Sequence, residues 1–392
     1  MKIRFEKDVL IGAVTPALSA VSGKNTLSNM EGILFTTDGS NRCILSSYDT
    51  TKGFRTAVEC QVNEQGSYII GADKLSRFIR MVPGAFITIE VGERNNARIT
   101  SGEYKIEFSV LPGGEFPNLP ELTGEKGFTL PAKLLKETVN QVYHAISGSD
   151  ARQVMTGAYF RISGDRMRVV ACDGFRLAFR ERQCAIEAKG LESEDSAISF
   201  IVPGKTLAEL MKLLPGDDEA PVSLVFGRKH IIFNMGNSLF FSRLIDGEYI
   251  AYDRVIPKNN NIRVILPRER LIECLEIARI VTDDRTLGQP RSYVKCSFEG
   301  QKLKITAVNS QTAATADVEI EKEGPDLVIG FDCHYLLDAL RATGDDEVLM
   351  TLSTPLMSIT IEPSGRESDD DDGDGEDKGT YLYMIGPVKM KE

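Results

Sequence analysis

The chain has 392 residues with a formal net charge of −11, 42% hydrophobic and 26% charged residues, and no tryptophan. This balance is that of a folded chain with several cores; it excludes collagen-like, disulfide-dense and wholly disordered proteins. No apolar run approaches the ~20 residues that span a bilayer.

The N-terminal MKIRFEKDVLIGAV has charges on both sides of a short apolar stretch and no cleavage pattern, so a cytoplasmic protein away from membranes is expected. Seven cysteines, odd in number and without a C-x-x-C pair, fit reduced, buried thiols. Eight acids and no base lie between Glu367 and Asp377. They supply most of the net charge, and the rest of the chain is close to balanced, so the overall sign does not exclude a polyanionic partner.

In chain order, residues 8–23 (DVLIGAVTPALSAVSG) have apolar residues at helical spacing and close on glycine, which predicts an amphipathic helix. Residues 133–148 (KLLKETVNQVYHAISG) match them without a gap: Leu10 falls on Leu135, Val14 on Val139 and Ala20 on Ala145. A looser third copy is 268–283, RERLIECLEIARIVTD. A second predicted helix, 69–84 (IIGADKLSRFIRMVPG), recurs at 201–216 (IVPGKTLAELMKLLPG) and 328–344. Between these helices lie alternating, β-branched runs bounded by Gly-Asp, Asp-Gly and Met-Gly-Asn turns, which predict strands and hairpins. The unit of helix, strands, helix and strands repeats over ~125 residues. Proline-bearing linkers follow the first two units, giving three α+β domains at 1–125, 126–257 and 258–392.

Motifs for chemistry are absent. His144, His230 and His334 lie far apart in sequence, and Cys333-His334 has no further ligand at metal spacing. No phosphate loop, dinucleotide fingerprint, nucleophile elbow or H-E-x-x-H occurs. No enzyme, metal or cofactor is expected; a hydrolase assembled from dispersed acids is the competing possibility. Bases gather instead on the repeated helices: Lys24, Lys133, Lys136, Arg152, Arg268, Arg270, Arg279, Arg285 and Arg291 on one set, and Lys74, Arg77, Arg80, Lys205 and Lys212 on the other. With few aromatics interleaved, this pattern suits phosphate contact on a duplex without base reading.

Residues 169–181, VVACDGFRLAFRE, read as two apolar strands joined at Asp173-Gly174. DGFRLA, with FPNLP after the first unit, DGEYIAYDRVIPKN (246–259) after the second and YLYMIGPVKM (381–390) near the C-terminus, resembles the sliding clamps of bacterial replication, the β subunits of DNA polymerase III. The likeness runs in order over the whole length, including the threefold repeat.

It implies a non-enzymatic processivity factor: three tandem helix-lined, β-rich clamp domains, two chains joined head to tail as a homodimeric ring, and double-stranded DNA encircled without sequence preference. The DNA-facing set is then Lys24, Lys74, Arg77, Arg80, Lys133, Lys136, Arg152, Lys205, Lys212 and Arg279. The likeness puts the dimer contact near YKIEFSV (104–110), at Lys74 and the strand's Glu107 and Phe108, and near SQTAATADVEI (310–320), with Ile280 and Val281.

It also implies a pocket for a short apolar peptide of the DNA polymerase III α subunit, the clamp loader and other proteins bearing a clamp-binding motif. The matching positions are Arg152, Met155, Cys172, Gly174, Phe175, Arg176, Leu177, Ile250, Arg254, Val255, Leu356, Ser358, Met384, Gly386, Pro387, Val388 and Lys389. Four depart from the family pattern: Phe175 replaces a common histidine, Cys172 threonine, Ile250 proline, and Gly386 a bulky Met or Leu. A reshaped pocket is expected.

ESDDDDGDGEDKG (367–379) nearly fits a calcium loop, with Asp370, Asp372 and Asp374 at the first, third and fifth ligand positions and Gly375 at the turn. But Tyr381 stands at the twelfth position and no helix flanks the run. A calcium-regulated interaction protein without a DNA role is therefore the alternative. The run is expected to be a disordered insertion in the last hairpin, near the pocket mouth, where it would repel acidic peptides.

Overall fold

The computed structural model describes residues 1–23, 28–92, 94–120, 124, 126–183, 187–189, 197–227, 229–284, 293–365 and 379–390. Six α-helices occur among them: α1 (Lys7–Ala17), α2 (Ala72–Met81), α3 (Ala132–Tyr143), α4 (Gly204–Leu213), α5 (Arg268–Asp283) and α6 (Cys333–Ala342). They accompany four antiparallel sheets. The residues group into two compact units, 1–134 with 187–192 and 208–244, and 135–186 with 193–207 and 245–392.

In the first unit a five-stranded sheet ends on the strand Tyr104–Ser109. A ten-stranded sheet runs through the hairpin Arg42–Tyr48 and Lys52–Glu59, and the second of these strands pairs with Ser238–Arg243. The second unit repeats this plan. Its nine-stranded sheet runs through Arg166–Cys172 and Arg176–Gln183, and the latter pairs with Thr380–Ile385. Its four-stranded sheet ends on Ala313–Glu319. Each unit thus contains one seam at which a hairpin strand joins a strand from ~180 to 200 residues further along the sequence.

The helices bury one stripe each, as their periodicity requires. Leu10, Ala13, Val14 and Ala17 are buried on α1; Leu271, Cys274, Leu275, Ala278 and Val281 on α5. Helix ends differ from the sequence expectation. α1 stops at Ala17, because Pro16 contributes no N–H to the last turn, and the chain tightens into a 3-10 turn over Leu18–Ala20. α3 likewise gives way to i→i+3 bonds at Ala145 and Ile146, so the Ser-Gly endings lie beyond the helices rather than capping them. α2 begins only at Ala72, after a strand over Ser67–Gly71, and stops at Met81 because Pro83 holds Val82 extended. α6 has a side-chain cap, Asp332, which accepts the His334 N–H at 2.9 Å.

Residues 366–378 lie outside the described residues. They join Ile359–Pro363 to Thr380–Ile385, which pair antiparallel from Ile359↔Ile385 to Ile361↔Tyr383. Among the described residues no helix is long and apolar enough to cross a membrane, and no cluster of acids, histidines and cysteines has metal-binding geometry.

Candidate functional site

The seam of the second unit is built around the turn at 173–176. Asp173 Oδ1 accepts the backbone N–H groups of Phe175 at 2.9 Å and Arg176 at 3.0 Å. Gly174 has φ +91°, a conformation that a side chain resists. The returning strand closes on the turn from the other side, with the Gly386 N–H donating to Phe175 O at 2.8 Å. A Cβ at Gly386 would stand 2.9 Å from that oxygen, so this glycine permits the close approach.

Arg176 turns inward, its side chain 13% exposed. Nε reaches Asp173 at 3.1 Å, Nη1 reaches Asp338 at 2.6 Å, and the guanidinium lies 4.3 Å from the centre of the Tyr335 ring. Phe175 turns outward, 67% exposed, its ring stacked at 6.5 Å on Tyr335. Behind them His144 packs 5.5 Å from the Tyr383 ring. Burial, reinforced by the Arg176 charge, lowers its pKa to about 4.

Beneath the turn, Met155, Cys172, Leu177 and Met384 join Val170 and Tyr252 in one buried cluster. Ile250 and Tyr249 pack against it, and Tyr249 stacks on Tyr159 at 5.2 Å. Burial raises the Cys172 thiol pKa, so this cysteine acts as a small apolar group. The strand pairings Cys172↔Leu177 and Leu177↔Met384 set these side chains side by side.

Next to the cluster opens a cavity of about 530 Å³, lined by Arg254–Lys258 and Leu356–Ser358. A 3-10 turn at Tyr252–Arg254 aims Arg254 and Val255 at it. On the far wall Asn260 Nδ2 ties down the loop by donating to Thr351 O at 3.1 Å and Ser358 O at 3.4 Å. Leu356 is 75% exposed at the rim. The arrangement offers apolar side chains and two bases, Arg254 and Lys258, with no acid in the lining.

The seventeen pocket positions all fall in one unit, but in different roles. Arg254, Val255, Leu356 and Ser358 line the open cavity; Met155, Cys172, Leu177 and Met384 form the closed floor beside it. Arg176 is a strut. Arg152 is exposed, and its backbone and Nε both donate to Asp150. Pro387, Val388 and Lys389 follow the seam, held where the Val388 N–H donates to Gly330 O at 2.8 Å. Tyr252, Tyr249, Tyr335 and Asp338 escaped the sequence reading. The three aromatics of GEYIAYDR and CHYLLD were the available signal, but nothing in either string says which face they occupy.

The basic helix residues are spread over both units. Lys74, Lys136 and Lys205 are exposed and without an ion pair among the described residues. Arg77 pairs with Asp73 at 2.9 Å, Lys212 with Glu209 at 3.1 Å, and Arg279 with Glu276 at 3.1 Å. Arg80 donates to Thr15, and Lys133 is half-buried. Lys24, Arg285 and Arg291 lie outside the described residues. Of the positions expected at a dimer contact, Lys74 sits 5.7 Å over the Phe108 ring and Glu107 bonds Arg98 at 2.7 Å. Ile280 is 71% exposed, whereas its neighbour Val281 is buried in its own domain.

Three family profiles match the chain in order: the N-terminal domain of the DNA polymerase III β subunit over 1–120, the central domain over 129–250 and the C-terminal domain over 253–371. The β sliding clamp of Escherichia coli K12 is 30% identical over 395 residues, covering all of both chains. That of Proteus mirabilis is 30% identical over 365 residues, 92% of this chain and 96% of that one. The crystal structure of the Bacillus subtilis DNA polymerase sliding clamp superposes with a TM-score of 0.88 at 25% identity over the full length of both. A Pseudomonas aeruginosa sliding clamp gives 0.85 at 26%. With its three tandem clamp domains, the chain belongs to the family of DNA polymerase III β subunits, the β sliding clamps.

Proposed function

We propose that two copies of this chain close head to tail into a ring that encircles duplex DNA and tethers replication and repair proteins through the second-unit pocket. The observation that carries the reading is an incomplete set of strand seams. Lys52–Glu59 joins Ser238–Arg243, and Arg176–Gln183 joins Thr380–Ile385. The corresponding strand of the third repeat, Ala313–Glu319, is a sheet edge, and so is Tyr104–Ser109, the last strand of the first repeat's second hairpin. Two unpaired edges of one chain fit each other's partner role, and a head-to-tail contact needs two such different surfaces. Carrying over the register of the two existing seams sets Ala314 opposite Ile106 and Ala316 opposite Tyr104, small residues facing large ones.

The domains follow as 1–125, 126–257 and 258–392. Lys74, Phe108 and Ile280 would flank the contact, with Val281 packed beneath. Lys24, Lys74, Arg77, Arg80, Lys133, Lys136, Arg152, Lys205, Lys212 and Arg279 would face phosphates, several of them already neutralised by a neighbouring acid. The hold on DNA is then chiefly topological, with no base reading and no catalysis. The partners are the DNA polymerase III α subunit, the clamp loader and other proteins with a clamp-binding motif, in the cytoplasm. A calcium-regulated protein gains no support from the family matches.

Sedimentation should give twice the 43.2 kDa chain mass. Loaded on nicked circular DNA, the protein should stay bound until the circle is cut. A strict monomer that a clamp loader cannot place on the circle would refute the ring. For the pocket, a consensus clamp-binding peptide should bind the wild type and fail against Leu177→Asp; unchanged binding would refute the site.

A further inference from the structure

We propose that the Tyr249 hydroxyl is a specificity-determining donor in the floor of the partner pocket, selecting an inserted side chain that carries a neutral hydrogen-bond acceptor such as an amide. The inference rests on the partner-site reading above and names what that site selects.

The loop over 247–255 builds both parts of the site. Gly247 has φ +128°, and a Cβ there would stand 3.0 Å from Val154, which itself packs against the buried cluster. Ala251, at φ −73° and ψ 68°, then closes a tight turn in which the Tyr252 N–H donates to Ile250 O at 2.8 Å. The turn sets Tyr249, Ile250 and Tyr252 against Met155, Cys172, Leu177 and Met384, while Arg254 and Val255 go on to line the open cavity. The Tyr249 ring is stacked on Tyr159 at 5.2 Å and 14°, and swinging its hydroxyl out to solvent would break that stack.

Buried hydroxyls normally find partners, and three other tyrosines of this unit do. Tyr252 accepts from Arg168 Nη1 at 3.2 Å, Tyr381 donates to Asp345 Oδ2, and Tyr383 donates to Ala342 O at 3.3 Å. The Tyr249 hydroxyl is buried with no hydrogen-bond partner among the described residues. Burial, and then the neighbouring Cys172 thiol, pushes its pKa up, so the proton stays on the oxygen near neutral pH. Apart from Tyr252, whose hydroxyl is engaged, the cluster offers aliphatic groups, two thioethers and a thiol, which are at most weak acceptors. The two methionines can change rotamer and admit a side chain. An apolar side chain entering this floor leaves the hydroxyl unpaired, whereas one with a neutral acceptor satisfies it. A carboxylate would give up its hydration for a single hydrogen bond and is disfavoured.

The test is calorimetric titration of the full-length protein with a consensus clamp-binding peptide, and with versions in which each apolar anchor in turn is replaced by asparagine. Asparagine is close to leucine in outline and carries an amide. At one anchor the affinity of the asparagine peptide relative to the parent should be about tenfold higher for the wild type than for Tyr249→Phe, the worth of one neutral hydrogen bond. The parent peptide should bind both proteins alike, and Tyr249→Phe should melt no lower than the wild type. Cys172→Thr, which puts a hydroxyl acceptor beside the tyrosine, should shrink the same ratio. Equal ratios in the wild type and Tyr249→Phe at every anchor would overturn the inference, as would asparagine peptides that all fail on a wild type that binds the parent. Should Tyr249→Phe not fold, an undiminished ratio in folded Cys172→Thr would overturn it. A wild type that binds neither the parent nor any asparagine peptide rejects the partner-site reading itself, a separate outcome.

Discussion

Arg176 is gripped by Asp173, Asp338 and the face of Tyr335, so its removal leaves two carboxylates facing each other in a half-buried site. Arg176→Met is expected to cost about 2–3 kcal/mol in a urea melt. It should also weaken peptide binding through the displaced turn, and Arg176→Lys should recover only part of either loss. His144 gives a pH signature. Its pKa falls from 6.5 to about 4 on folding, so between these values the unfolded chain binds the extra proton. The contribution to stability is complete above pH 6.5 and is lost as pH falls toward 4, by up to roughly 3 kcal/mol. The groups facing the ring are Arg176, Asp338, Asp173 and Tyr383. Urea midpoints at pH 7.5 and 5 should separate more in the wild type than in His144→Phe; equal separation would remove the histidine from the account. The sequence made Arg176 conspicuous, but its direction depends on Asp338, 162 residues away.

The hairpin turns and the helices behind them carry the next set of consequences. Gly53 shows how one missing side chain sets the packing of a whole seam. Gly53→Ala should destabilise the protein by about 2 kcal/mol, because a methyl must share the space of the Phe241 ring. A melting temperature equal to that of the wild type would contradict the packing. The acidic run joins two strands already paired with each other. Deleting Ser368–Lys378 is therefore expected to leave the melt intact, and by the proposed repulsion it should raise affinity for acidic peptides and flatten its salt dependence. Unchanged affinity would reduce the run to a tolerated insertion. Helical periodicity located the six helices of the described residues. Their ends were less legible, since Pro16 and Pro83 acted through neighbouring backbone and the glycines did not cap.

At the scale of the whole molecule, the proposed ring rests on the sheet-edge strands Tyr104–Ser109 and Ala313–Glu319. Ile280→Asp places a charge on an exposed apolar side chain beside one of these edges and should weaken the dimer at least tenfold by sedimentation velocity, with the fold retained because Ile280 supports no core. An unchanged dimer would move the contact elsewhere.

By itself the sequence determined the threefold repeat, the α+β class and the strand–turn–strand at Asp173-Gly174, and its likeness to a family supplied the positions proposed for the pocket. The repeat, the class and the turn follow from local periodicity and turn chemistry, which act over a few residues. Only the tertiary structure decided that Met155, Cys172, Leu177 and Met384 form a closed floor, that Arg176 is a strut, and that the Phe241 ring takes the space a side chain at Gly53 would need. Each of those outcomes depends on segments brought together across more than a hundred residues, and no local pattern records which side chain will occupy the space between them.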